Sequence, residues 1–361
     1  MAHWNIKNVA LRGVTGTVPD NPVKTADFLF FTKEEADTFD KTVGIKNRYI
    51  SPANVCASDL CLDAAERLIE GLGWEKDSID VLLFTSVTGD YKTPPTSAIL
   101  QYRLGLSKDV FVLDVPMGCC GCIYSFTVAG NLLTTGTAKR ALILAGDTTM
   151  RMGNPKDKSR GPLFGDSGTA IALEYDTSAE DIHIEFNTQG EGWKALMTPH
   201  GGYRHPITKD DSFIEEDFGN GIIRAPKDTL IHGMDVFSFA ISRPPISVRN
   251  MMERFSLDKD KDVDFFLIHQ ANKLIVDRIA KKLKLNPEKV PYNLQEFGNL
   301  GGASIIMLMA TNIARELSTK PLTLLCSAFG LGLTWATMIL KTSPLLVLPV
   351  NHIKNYKIYD T

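Results

Sequence analysis

The chain predicts a layered α/β architecture made of two similar halves. Short apolar runs of strand length alternate with segments of helical periodicity. The alternation occurs twice, on either side of a polar, glycine-containing stretch between Asp176 and Met234. Polar residues close several of the apolar runs, at the strand ends where α/β proteins usually place chemistry.

In the first half, strands are expected at Val81–Thr85, Val110–Val115, Ala141–Ala145 and Ala170–Glu174, with helices near Asp59–Gly71, Ser97–Gly105 and Cys120–Leu133. Val110–Val115 is rich enough in β-branched and aromatic residues to read as a buried strand. After it, Cys122, Phe126, Ala129, Leu132 and Leu133 can share one helix face. The second half repeats the pattern, with strands at Phe265–Ile268, Leu322–Cys326 and Thr334–Leu340 and helices near Phe237–Phe255, Lys273–Leu285 and Ile305–Leu317. The stretch between the halves is too long for a plain loop, so extra strands and a cover over the site are expected there. This divides the chain into 1–176, 177–234, 235–342 and an extension, 343–361. The apolar run at 345–350 suggests that the extension docks on the body or on a partner.

At 361 residues, 44% hydrophobic and 22% charged, the composition is that of an ordinary soluble globular protein. A net charge of −3 argues against nucleic acid or an anionic membrane as the main partner, while leaving room for a local basic patch. Met1–Pro22 has no continuous apolar core, and no window approaches the ~20 apolar residues of a membrane span. A cytoplasmic protein is the expectation. Six cysteines in a chain this long do not suggest a disulfide scaffold. Cys56, Cys61 and Cys326 read as reduced core or helix residues. The Cys-Cys-Gly-Cys cluster at 119–122 has no second Cys/His pair at zinc spacing, so no metal is expected.

Cys119 stands at a strand-to-helix turn, near unpaired helix N–H groups that favour a thiolate. It is placed as a nucleophile would be. The strand ending at Ile268 leads into His269-Gln270-Ala271-Asn272, and a glycine-rich turn at 297–304 presents Asn299 ahead of an apolar helix. A Cys, a His and an Asn from three such junctions can converge on one point. Individually each has a plainer reading: a structural histidine, or an asparagine tolerated at positive φ.

Five segments carry a resemblance: Asp-Val-Pro-Met-Gly-Cys-Cys-Gly (114–121), Phe-Gly-Asp-Ser-Gly-Thr-Ala (164–170), His-Gln-Ala-Asn (269–272), Gly-Asn-Leu-Gly-Gly-Ala-Ser (298–304) and Ala-Phe-Gly-Leu-Gly-Leu-Thr-Trp (328–335). In this order they resemble the β-ketoacyl-[acyl-carrier-protein] synthases of type III, among the thiolase-fold condensing enzymes. The resemblance implies a five-layered αβαβα fold of two pseudo-duplicated halves, and catalytic roles for Cys119, His269 and Asn299. It implies an acyl group parked on Cys119 as a thioester, then decarboxylative condensation with a malonyl-carrier protein. His269 and Asn299 would stabilise the oxygen that gains charge during decarboxylation. The backbone N–H groups of Cys119 and Leu331 would form the second oxyanion hole.

The same resemblance implies acyl carrier protein or acyl-CoA as thioester partner, no separate cofactor, and a homodimer in which residues near Thr93–Pro95 reach the partner's pocket. The alternative reading is an acyltransferase that passes the Cys-bound acyl group to an alcohol or amine.

Departures from the family pattern bear on the substrate. The segment 36–48 lacks the tryptophan that stacks on adenine in the usual pattern, leaving Phe39 as its replacement and Arg151 or Arg160 as the guanidinium. Asn272 and Phe329 complete the expected substrate-binding set. Leu331 and Leu333 replace a glycine and an aromatic in the terminal loop, and Pro116 and Met117 replace small residues ahead of the nucleophile. Asp166 is expected to fix a turn near the site, Asp114 is given no chemistry, and His200 and His205 read as surface-loop residues.

Overall fold

The structure, a computed structural model, describes residues 2–358. Two mixed sheets form its frame. In the larger, neighbouring strands run Leu346–Val347, Val9–Pro19, Ser167–Tyr175, Arg140–Asp147, Val81–Thr85 and Phe111–Asp114, and Asn351–Ile353 also pairs with Val9–Pro19. In the smaller, the order is Ala2–Ile6, Ile182–Thr188, Thr334–Thr342, Leu322–Gly330 and Phe265–Ile268. Val81–Thr85 is parallel to both its neighbours, and Phe265–Ile268 is parallel to Leu322–Gly330.

The period-two side-chain alternation of strands explains the layering. Leu82, Phe84, Leu142 and Leu144 turn outward onto the helices Ala57–Leu72 and Thr96–Leu104. Val81, Leu83, Ala141, Ile143 and Ala145 turn inward onto the helices Gly121–Leu133 and Ser304–Thr311. From the other side, Leu267, Leu324, Cys326, Ala336 and Met338 meet the same two helices. Phe266, Ile268, Leu325 and Ile339 face the helices Gly233–Arg254 and Lys273–Leu283. Helices, sheet, helices, sheet and helices make the five layers that the resemblance implies. The two central helices are apolar nearly all round because a sheet covers each side.

Several elements differ from the sequence reading. The boundary near residue 176 does not separate the sheets: Ala2–Ile6 belongs to the second sheet, pairing with Ile182–Thr188. That partner lies inside the region assigned to the cover, and it also pairs with Thr334–Thr342. The extension docks on the body by adding two short parallel strands to Val9–Pro19, closing one edge of the first sheet. The strand Val9–Pro19 escapes pattern reading because glycines and threonines dilute its apolar run and a register shift falls between Leu11 and Gly13. The expected helix 305–317 is two, Ser304–Thr311 and Ala314–Thr319. Between them the Asn312 amide donates to the Tyr292 carbonyl at 2.9 Å.

The cover does hold extra strands, the small pairs Leu196–Met197 with Leu230–Ile231 and Glu216–Asp217 with Ile223–Arg224. No helix among the described residues is long and apolar enough to cross a membrane.

Candidate active site

Cys119, His269 and Asn299 line a single cavity of about 510 Å³, walled mainly by apolar side chains. Each arrives from a different junction. Cys119 lies in the turn Gly118–Cys120 that opens the central helix Gly121–Leu133. His269 follows the strand Phe265–Ile268, and its N–H donates to the Ser327 carbonyl of the adjacent strand at 2.8 Å. Asn299 precedes the other central helix, and its backbone bonds to Leu163 and Gly165 on the segment leading to Asp166.

Two glycines let the thiol turn fit. Gly118 has φ +51°, and a Cβ there would lie 2.5 Å from Leu331 Cδ1. Leu331 therefore occupies space that only glycine leaves free. A Cβ on Gly330 would lie 2.9 Å from Cys119 Cβ and 3.2 Å from its Sγ, so the terminal loop passes directly over the Cys119 thiol. Leu331 lines the cavity, and its N–H has no backbone acceptor among the described residues.

The electrostatics correct one expectation. Cys119 as a residue is half-buried, but its thiol is enclosed, and burial pushes the thiol pKa up, with Cys120 and Asp147 adding to the rise. Desolvation outweighs the helix N–H groups, so the resting group is a thiol and not a thiolate. His269 is 2% exposed. Burial lowers its pKa to about 3, so the imidazole is neutral. Its Nδ1 lies 2.7 Å from Ser304 Oγ, and the Gln270 N–H donates to that hydroxyl oxygen at 3.5 Å. A hydroxyl that accepts from Gln270 can turn its own proton to Nδ1, the arrangement that leaves Nε2 free to act as the N–H donor. Asn299 is 5% exposed. Its Oδ1 accepts from the Gly301 N–H at 2.9 Å, which leaves the side-chain NH₂ as its free donor. The cavity thus joins one thiol to a neutral imidazole and an amide donor.

The remaining site residues separate. Phe39, on the helix Lys33–Thr42, lines the cavity and packs on Phe31. Phe329 lines it too, edge-on to His269 at 5.3 Å. Asn272 lines it while capping the helix Lys273–Leu283, its Oδ1 accepting from Ile275 N–H at 2.9 Å. Arg151 does not join them. Its guanidinium is spent on the carbonyls of Pro52, at 2.6 Å, and Val55, and the cavity's guanidinium is Arg160. Burial lowers the Arg160 pKa to about 10.

Asp166 accepts from Ser51 N–H at 2.8 Å and from Met150 N–H at 3.4 Å, so its carboxylate ties two other segments to its own. Asp114 caps the helix Thr96–Leu104 through the N–H groups of Thr96 and Ser97. His200 bonds to Ser212 within the cover. Sequence reasoning passed over Asp147, Lys158 and Thr149 as cavity residues. For Asp147 the signal was present, a carboxylate closing the apolar run Ala141–Ala145.

A half-buried cysteine at the mouth of a central helix, sharing one cavity with a neutral histidine and an asparagine on a five-layered αβαβα frame, defines a thiolase-fold condensing enzyme. Residues 113–192 match the family described as 3-oxoacyl-[acyl-carrier-protein (ACP)] synthase III, and residues 256–342 match its C-terminal part. The β-ketoacyl-[acyl-carrier-protein] synthase III of Rhodopirellula baltica is 31% identical, over 93% of this chain and 99% of its own. That of Caldanaerobacter subterraneus is 30% identical, over 92% and 98%. The crystal structure of a 3-oxoacyl-(acyl-carrier protein) synthase from Burkholderia xenovorans superposes with a TM-score of 0.91 at 34% identity, covering 97% of this chain and 99% of the other. The chain belongs to the 3-oxoacyl-[acyl-carrier-protein] synthase III family.

Proposed function

We propose that this enzyme loads an acyl group onto Cys119 and condenses it with a malonyl-carrier protein. The observation that carries the reading is the meeting, in one apolar cavity, of the Cys119 thiol with the uncharged His269 imidazole and the Asn299 amide, whose Nε2–H and NH₂ serve as donors in this scheme. In loading, the Cys119 sulfur displaces the thiol of the primer thioester, and the Cys119 proton leaves with that thiol. In condensation, the bond from the malonyl carboxylate to the methylene carbon breaks and CO₂ leaves. Its electron pair becomes an enolate on the thioester oxygen, which the two donors stabilise. The enolate carbon then attacks the Cys119 thioester, the C–S bond breaks to leave the Cys119 thiolate, which takes a proton from solvent to restore the thiol, and the β-ketoacyl product leaves with its carrier. Both reactants are already activated as thioesters, so no prosthetic group is required.

An acyl carrier protein is the expected partner, as in the relatives' names. A carrier-bound primer and acyl-CoA both deliver the acyl group as a thioester, and Phe39 and Arg160 line the cavity as the candidates for holding the nucleotide end of acyl-CoA. A homodimer is supported by the edge strand Phe111–Asp114, which exposes Phe111 at 46% and Leu113 at 38% beside an unpaired row of backbone groups.

Intact-protein mass spectrometry tests the function. Wild-type protein should gain the mass of an acyl group from one of a panel of acyl-CoAs or acyl carrier proteins. Cys119→Ala should gain none. A chase with malonyl-carrier protein should discharge the adduct as a β-ketoacyl product. An adduct that malonyl leaves untouched, yet alcohols or amines discharge, would replace condensation with simple acyl transfer.

A further inference from the structure

Asp147 closes the strand Arg140–Asp147, is 2% exposed, and lines the catalytic cavity. Nothing in the reaction as written above uses it. Its Oδ1 accepts from Ser86 Oγ at 2.9 Å, Val87 N–H at 2.8 Å and Thr88 Oγ1 at 3.3 Å. The backbone of Gly302 adds to the pull that keeps the carboxylate ionised. All three hydrogen-bond donors are uncharged, so this is a buried carboxylate held by dipoles alone.

On its other side the carboxylate meets the turn that carries Asn299. Gly301 has φ +55°, and a Cβ on it would lie 2.9 Å from Asp147 Oδ2. The N–H of that same Gly301 donates to Asn299 Oδ1 at 2.9 Å. A continuous path therefore runs from the strand end, through the carboxylate and the Gly301–Gly302 turn, to the Asn299 amide. Asp147 is also close enough to Cys119 to raise its thiol pKa.

The choice of a charged group has a physical reason. An ionised carboxylate is the side chain that only accepts, so it can take all three donors at once. An amide, or the protonated acid, turns a hydrogen toward one of them. Burial works against ionisation and lifts the Asp147 pKa to about 6, while its hydrogen bonds hold it down. The titratable groups facing it are thiols, Cys119 from the nucleophile turn and Cys61 from the helix Ala57–Leu72.

We propose that Asp147 is a positioning residue for the decarboxylating side of the site: its carboxylate holds the Gly301–Gly302 turn, and through it the Asn299 amide, against the Cys119 loop. The assignment rests on the roles given above to Cys119 and Asn299. Asp147 touches no substrate in this scheme. Its protonation loosens the turn and leaves the thiol free to load.

The test separates loading from decarboxylation in wild type, Asp147→Asn and Gly301→Ala, between pH 5 and 8. Loading is read as the acyl adduct by intact mass, decarboxylation as CO₂ released from malonyl-carrier protein. Loading should stay within about threefold in all three proteins. CO₂ release should fall about tenfold or more in both variants, within the roughly hundredfold that an ångström-scale misplacement costs. In wild type it should decline below about pH 6, with Asp147 protonation, and Asp147→Asn should lack that limb. Asp147→Asn releasing CO₂ at the wild-type rate with the limb intact would overturn the proposal. So would parallel loss of loading and decarboxylation in both variants, which marks general damage. A wild type that loads but never releases CO₂ would instead remove the role given to Asn299, and this proposal with it.

Discussion

Replacing Asn299 by Asp separates the two jobs that one side chain performs. Its Oδ1 accepts from Gly301 N–H at 2.9 Å and shapes the turn, while its NH₂ is the donor offered to the cavity. Asn299→Asp keeps the acceptor and replaces the donor with an oxygen. Asn299→Ala removes both, and the lost turn bond should cost about 1 kcal/mol of stability. Removing one oxyanion donor from a preorganised site costs about 10²–10³ in rate, or about 2.7–4 kcal/mol. The carboxylate of Asn299→Asp also repels the developing enolate, which places that variant at the upper end. Loading on Cys119 involves no enolate and should change by less than about threefold. The assay is acyl-adduct mass for loading, followed by CO₂ release from malonyl-carrier protein at matched adduct. If Asn299→Asp releases CO₂ within about threefold of wild type, Asn299 is not an oxyanion donor and the decarboxylation scheme is wrong.

Three further expectations follow from the same geometry. Because burial raises the Cys119 thiol, its alkylation by iodoacetamide should be slower at pH 7–8 than that of a free cysteine and should still be climbing at about pH 9. A plateau near pH 7 would show a stabilised thiolate. Ser304→Ala removes the hydroxyl 2.7 Å from His269 Nδ1, so CO₂ release should fall about tenfold, the equivalent of about 1.4 kcal/mol, with loading preserved. Leu345 opens the C-terminal extension and is buried in the central core, its N–H bonded to the Leu317 carbonyl at 3.0 Å. Leu345→Ala should cost about 2–5 kcal/mol in denaturant unfolding, and a neutral result would mean that the extension is not held by that contact.

Much of the frame could be read from the chain because its signals are local. Val81–Thr85 and Phe265–Ile268 appear at the residues expected. The helices Ala57–Leu72, Gly121–Leu133 and Lys273–Leu283 lie within a few residues of expectation, since periodicity and flanking polar residues mark their ends. Where tertiary pairing decides, local reading failed. Ala2–Ile6 joins the second sheet only because Ile182–Thr188 offers it an edge. Arg151 was a candidate by its neighbourhood in sequence, yet the carbonyls of Pro52 and Val55 capture its guanidinium. Asp147 shows the reverse. Its place at a strand end was visible, but its close approach to the Gly301 turn joins residues far apart in the chain.

Near neighbours along the chain set the layered fold and place Cys119, His269 and Asn299 at strand ends and turns, because strand and helix periods are local. The states of those residues belong to the folded chain. Burial makes Cys119 a thiol and His269 a neutral donor, and the Gly301 N–H determines which end of Asn299 meets the cavity. Protonation and hydrogen-bond direction follow from the solvent excluded and the partners supplied by distant segments, and neither is written in the local sequence.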